Sequence, residues 1–252
     1  MLPKAILLDL DDTITTFDYG IDLDACWKNA CASRFPEWTD EAVDEAVQAI
    51  KKRARWYWSD ADRHRTGRLR MDETRRYIVE TALMGAGLLT QNEASSVHPI
   101  ADDYGRSRDA AIRPFPGAIE TLEHIRARGI KLALITNGSS TGQRSKINRF
   151  ALPSYFDDIF VEEECGVGKP EHAIYQMVLN RLQVEPEESW MAGDNFEWEV
   201  AAPQRLGIKG IWINHRGQDT ASLSTQPFHA VTTLSDLVPL LDASDSRRDG
   251  KS

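Results

Sequence analysis

Apolar residues fall along this chain in two kinds of pattern. The first is a short, unbroken run. KAILLDL (4–10), KLALITN (131–137), SWMAGDN (189–195) and IKGIWIN (208–214) are of this kind, and DDIFVEE (157–163) is a weaker example. Runs of this length, apolar on both alternating faces, suit strands buried on both sides in a parallel sheet. The second pattern has a helical period. GAIETLEHIRARG places Ile119, Leu122 and Ile125 on one face and ends at Gly129. HAIYQMVLNRL does the same with Ile174, Met177, Val178 and Leu182. Strand and helix alternate, which predicts βαβ units.

Residues 16–112 break the alternation. EAVDEAVQAIKKRARWYW carries Val43, Val47, Ile50, Ala54 and Trp58 at helical spacing, and DETRRYIVETALM offers Tyr77, Ile78, Thr81 and Leu83 or Met84. No strand pattern occurs there. The expected organisation is α/β: a Rossmann-like parallel sheet core over 1–15 and 113–242, interrupted after its first strand by an all-helical cap over 16–112. RPFPG (113–117) marks the re-entry, because two prolines and a glycine stop a helix. ASDSRRDGKS (243–252) is polar throughout and predicted to be disordered. No internal repeat is visible.

Composition narrows the function classes. The 252 residues are 41% apolar and carry a net charge of −9 from 30 basic and 39 acidic residues. A net acidic chain is poorly suited to a nucleic-acid polymer or an anionic membrane surface. A small phosphorylated ligand needs only a local positive site and stays open. Three cysteines, Cys26, Cys31 and Cys165, form no C-x-x-C pair and suggest no disulfide framework. MLPKAILLDLDD lacks the apolar stretch of a signal peptide, and no run approaches the roughly 20 residues of a membrane span. A cytoplasmic location is the expectation.

The polar residues then fall into an order. Asp9 and Asp11 follow the first strand; Thr136, Asn137 and Gly138 follow KLALI; Lys169 follows the weaker strand; Asp194 and Asn195 follow SWMAG. All stand at the carboxyl ends of predicted strands, the edge at which open parallel sheets bind ligands. Asp9, Asp11 and Asp194 together concentrate negative charge that is costly at low dielectric. Mg²⁺, a hard cation that takes one or two carboxylates with water and phosphate oxygens, would relieve it. Lys169 and Thr136 would meet an anionic substrate. A carboxylate nucleophile beside a second carboxyl that shuttles protons is a covalent strategy with precedent.

On DLDDT (9–13), ITNGS (135–139), GKP (168–170) and GDNFEWEV (193–200), in that order, the chain resembles the haloacid dehalogenase superfamily of phosphohydrolases. The helical insert after strand one resembles the cap of its C1-capped members. The resemblance implies that Asp9 is the nucleophile and forms an aspartyl-phosphate. It implies that Asp11 protonates the leaving oxygen and then activates water. Mg²⁺ would be held by the Asp9 carboxylate, the Asp11 carbonyl and the Asp194 carboxylate. Thr136, the Asn137 amide and Lys169 would bind the phosphoryl group. One departure stands out: the family usually has an aspartate five residues after the Asp194 position, and this chain has Glu199. Asp12 is expected to cap the turn or the next helix.

Other stretches read as structure. CGVGKP lacks the glycine and the Ser or Thr of a P-loop, having Glu163 and Pro170 there. DADRHRTGRLRMDE has Arg65 where a calcium loop needs glycine. His64, His98, His172 and His215 have no ligand spacing, and the WYW of 56–58 with its flanking arginines reads as packing and a solvated face of the helical insert. The predicted function is a Mg²⁺-dependent phosphatase of a small phosphorylated metabolite. A phosphomutase or 2-haloacid dehalogenase of the same fold, and a catalytically silent binding protein, are the alternatives.

Overall fold

The computed structural model describes residues 2–90, 95–221, 223 and 225–249, with backbone alone from 245. The chain forms two compact units, 1–19 with 113–252, and 20–112. Strand β1 (Ala5–Leu8) precedes five helices of the second unit: α1 (Leu23–Arg34), α2 (Asp40–Trp58), α3 (Ala61–Leu69), α4 (Met71–Gly85) and α5 (His98–Ala111). The first unit resumes with α6 (Ala118–Ala127), β2 (Lys131–Thr136), α7 (Ser140–Arg149), β3 (Asp158–Val161), α8 (Glu162–Cys165), α9 (His172–Leu182) and β4 (Ser189–Gly193). A single π turn at Glu197–Ala201 then runs into α10 (Ala202–Gln204), followed by β5 (Lys209–Ile213), β6 (His229–Val231) and α11 (Leu237–Asp249).

The six strands are parallel, in the order β3-β2-β1-β4-β5-β6. Sequence order reverses at β1, which pairs with β2 through Leu8 and Leu134 and with β4 through Leu8 and Ala192. Successive β1 side chains alternate between two cores. Ile6 and Leu8 join Leu132, Leu134, Leu122 and Ile125 on one face. Ala5 and Leu7 join Ala133, Ile135, Ile174, Tyr175 and Val178 on the other. A strand that fills both layers needs apolar residues at every position, which is why the run is unbroken.

The helical unit has its own core, drawn from α1, α2, α4 and α5: Trp27 and Cys31, Val43, Val47 and Ile50, Ile78, Val79 and Leu83, Ile100 and Tyr104. Among the described residues it contains no strand, and no described helix is long and apolar enough to cross a membrane.

Three details differ from the sequence pattern. Met177 is 39% exposed and Tyr77 is 44% exposed; Tyr175 and Leu179, and Val79 and Ala82, take the buried positions instead. β6 has no apolar run to announce it, since an edge strand three residues long buries little. α11 continues to Asp249, into the polar stretch predicted to be disordered; residues 250–252 lie outside the described ones.

Candidate active site

Asp9 follows β1, and its backbone N–H donates to Ala192 O of β4 at 3.1 Å, so it stands where the sheet order reverses. Its carboxylate is buried and meets Lys169 Nζ at 2.5 Å. Lys169 is wholly buried and also lies 2.8 Å from Glu199 Oε1. Burial alone would lower the lysine's pKa; Asp9 and Glu199 reverse that and hold it above the usual range. Asp9 itself is pushed up by burial, against the opposing pull of Lys169.

Asp194 follows β4. Burial pushes its carboxyl up to about 9, with Glu199, Asp9 and Asp12 adding to the rise and Lys169 opposing it. Glu199 is pushed up to about 7 by burial, again against Lys169. It is wholly buried, with Oε1 2.8 Å from Lys169 Nζ. The π turn at 197–201 carries it, and Gly193 makes room, since a Cβ there would overlap the Glu199 side chain. The glutamate in place of aspartate is thus accommodated by an irregular helix and a missing side chain.

The raised carboxyls are a balance of charge. Two buried acids share one ammonium beside half-buried Asp194, so full ionisation of the three leaves negative charge uncompensated. The donors are all oxygens, which suits a hard cation. Among the described residues no three His, Cys, Asp or Glu side chains form a cage. A cation here would be of the kind that takes two carboxylates and completes its shell with carbonyl and water oxygens. A cleft of about 370 Å³ lies beside Asp194, lined also by Asp12, Tyr19, Trp212 and His215.

Thr136 ends β2 and is buried. The Asn137 side chain is committed elsewhere: Nδ2 donates to Lys169 O at 2.7 Å, and Oδ1 accepts from Lys169 N–H at 2.9 Å. This reciprocal pair fixes the backbone that carries the lysine. Gly138 N–H donates to buried Glu162 Oε2 at 2.9 Å, and Gly168 leaves space for both Asn137 and Glu162. Asp11 meets Lys146 Nζ at 2.5 and 2.6 Å, while Gln143 Nε2 donates to Asp11 Oδ2 at 3.0 Å and to Thr136 Oγ1. Asp9 and Lys169 meet directly. Asp194 is coupled to both by charge, and Asp11 and Thr136 are joined through α7.

Asp12 has a structural task, as its position suggested. Its backbone is left-handed, with φ 54°, and its carboxylate accepts from the N–H groups of Phe17, Asp18 and Tyr19 at 2.8 to 3.1 Å. Burial pushes its carboxyl up to about 6. His215, one of the four histidines without ligand spacing, lies 4.6 Å from the Tyr19 ring and 5.0 Å from the Phe115 ring, and its Nε2 is 2.7 Å from Asp12 O. Glu162, Gln143, Lys146 and His215 escaped the sequence reading; the rising charge of EEE at 162–164 was the one available signal for Glu162.

Comparison with known proteins adds four observations. The model of the haloacid dehalogenase-like hydrolases matches residues 3–207. Among curated proteins, the glyceraldehyde 3-phosphate phosphatase of Methanocaldococcus jannaschii is 24% identical over 241 residues, 93% of this chain and 96% of that one. Among solved structures, the magnesium-bound HAD-hydrolase YfnB of Bacillus subtilis shares the fold with a TM-score of 0.68 at 20% identity, over 96% of this chain and 100% of that one. A 2-haloacid dehalogenase of Pseudomonas syringae pv. Tomato gives a TM-score of 0.61 at 25% identity, over 97% and 99% of the two chains.

Proposed function

The chain belongs to the haloacid dehalogenase-like hydrolases and is an enzyme of the phosphoric monoester hydrolase type; on that premise we propose that it hydrolyses a small phosphorylated metabolite, with Mg²⁺, through an aspartyl-phosphate on Asp9. The observation that carries this reading is the buried contact of Asp9 with Lys169 at 2.5 Å, at the edge where the sheet order reverses.

In the proposed reaction an Asp9 oxygen attacks phosphorus and the ester P–O bond breaks. Asp11 gives its proton to the leaving oxygen. Water then attacks the aspartyl-phosphate, Asp11 takes the water's proton, and inorganic phosphate leaves Asp9 as a carboxylate. Lys169 compensates the phosphoryl charge. Thr136 supplies a hydroxyl. The Asn137 side chain is occupied by Lys169, so its backbone N–H is the group assigned to the phosphoryl oxygens. Asp9, the Asp11 carbonyl and Asp194 would hold Mg²⁺, and their oxygen-only character and upward-shifted carboxyls fit it. Bound there, the cation would supply charge compensation for the carboxylates and the phosphoryl group.

The dehalogenase likeness supports a second reading, displacement of halide by Asp9 without metal. Asp11 argues against it, because halide needs no proton. The test is a panel of metabolite phosphates and aryl phosphates with Mg²⁺ or EDTA, with Asp9→Asn alongside. Phosphate release that needs Mg²⁺ and vanishes in Asp9→Asn is the expected result. Full activity of Asp9→Asn, or halide release surviving EDTA, overturns the reading.

A further inference from the structure

Helix α7 is polar along its length, STGQRSKINR, yet it buries two of its long polar side chains. Gln143 and Lys146 are 5% and 8% exposed and stand three residues apart, on one face. A buried lysine requires a partner, and among the described residues the hydrogen bonds of this one reach a single carboxylate. Lys146 Nζ meets both oxygens of Asp11, at 2.5 and 2.6 Å. The Phe17 ring covers the ammonium at 4.5 Å. Gln143 Nε2 donates to Asp11 Oδ2 at 3.0 Å, to Asn137 O at 2.8 Å and to Thr136 Oγ1.

One face of α7 therefore grips the carboxylate assigned to proton transfer and the loop assigned to the phosphoryl group. The roles given above to Asp9, Asp11, Thr136, Lys169 and Asp194 leave both α7 residues unused. A side chain that must deliver a proton to one atom has to be held in one direction, since misplacement by an ångström costs rate steeply. We propose that Lys146, assisted by Gln143, is a positioning residue that aims the Asp11 carboxylate for proton transfer and ties it to the phosphoryl-binding loop. The proposal rests on the reading of Asp11 as the proton-handling group. Lys146 touches no reacting atom and acts through Asp11.

A merely structural ion pair would slow all substrates alike, so the test uses leaving groups. Single-turnover rates are measured with phenyl phosphate, whose leaving oxygen needs a proton, and p-nitrophenyl phosphate, whose leaving oxygen needs little. Lys146→Met should slow the first by about 100-fold, the scale of general acid catalysis, and the second by no more than about a few-fold. In an Asp11→Asn background Lys146→Met should add almost nothing, because its effect passes through Asp11. Lys146→Arg should recover much of the rate. Gln143→Leu, which keeps the ion pair, is the milder variant should Lys146→Met fold poorly, and should show the same selectivity at smaller size. A crystal structure of Lys146→Met reads position without turnover: the Asp11 carboxylate should leave its wild-type direction. Equal losses on both esters, losses that multiply with Asp11→Asn, or an Asp11 carboxylate unmoved in Lys146→Met each overturn the proposal. An impaired Asp11→Asn beside an unimpaired Lys146→Met overturns it alone, whereas an unimpaired Asp11→Asn overturns the proton-transfer reading and the proposal with it.

Discussion

Lys169 Nζ stands 2.5 Å from Asp9 Oδ1 and 2.8 Å from Glu199 Oε1, so two buried carboxylates share one ammonium. The closer contact is the one to Asp9, whose oxygen receives an ammonium proton. The two carboxylates therefore hold the lysine unequally. Lys169→Ala should cost about 2–4 kcal/mol of transition-state stabilisation, as loss of an electrostatic stabiliser does, with good and poor leaving groups alike. Glu199→Gln keeps size and removes only the weaker partner, so its loss in kcat/KM should be clearly smaller. Steady-state kinetics on aryl phosphates would read both; a Glu199→Gln enzyme as damaged as Lys169→Ala would reverse the ranking.

Stability without metal should fall as pH rises. In the unfolded chain Asp194 and Glu199 lose their protons near pH 4. In the folded protein burial keeps them protonated up to about 9 and about 7. Between those limits the native state binds more protons than the unfolded one, so each unit of pH removes stability. The raised Lys169 contributes equally across this window and does not alter the sign. Denaturation of the metal-free protein should show a loss of at least about 2 kcal/mol from pH 5.5 to 8.5. A flat or rising profile would show that these carboxyls ionise freely in the fold.

Mg²⁺ should reverse that loss, because a ligand that binds only the ionised native site stabilises it by mass action. The rise in melting temperature with added Mg²⁺ should be larger at pH 8 than at pH 6. Asp194→Ala should abolish the rise and leave the metal-free protein more stable at high pH than wild type. An Asp194→Ala variant that answered Mg²⁺ as wild type does would put the cation elsewhere.

Asp12 should matter to folding more than to chemistry. Its carboxylate receives three backbone N–H groups. Asp12→Ala should lose about 2–4 kcal/mol, from the orphaned amides and from placing alanine at a left-handed backbone. Asp12→Gly relieves the backbone and should recover only the smaller part. Urea denaturation of the pair separates the two causes; equal stability of Asp12→Gly and wild type would mean that the amides find other partners.

Much of this molecule was legible before any coordinates. β1, β2, β4 and β5 lie within their apolar runs because a strand filling two cores admits polar residues only at its ends, as Lys131, Thr136, Ser189 and Lys209 show. Asp9 and Asp194 stand directly after β1 and β4, and Thr136 ends β2, so chain geometry places them, whereas Lys169 comes past α8 and is placed by the Asn137 pair. Lys146 and Gln143 were hidden because α7 has no apolar face; their burial comes from Asp11, over 130 residues earlier in the chain. Glu199 was noticed as a departure, but its placement depends on a π turn, which leaves no periodic trace. His215 shows no spacing that announces its place because the rings beside it, Tyr19 and Phe115, belong to distant segments.

Thr16 N–H donates to Arg113 O at 2.9 Å, Arg113 N–H returns to Thr16 Oγ1 at 3.1 Å, and Phe115 N–H reaches Ile14 O at 2.9 Å. The outgoing and returning strands of the chain are thus neighbours, bonded to each other before the helical segment begins. Ninety-odd residues enter and leave through one doorway. The first unit thus closes its own backbone hydrogen bonds across the point of insertion. Such a junction lets the helical segment behave as a cassette: it can lengthen, diverge or be exchanged wholesale in evolution, while the strands that carry Asp9 and Asp194 keep their register.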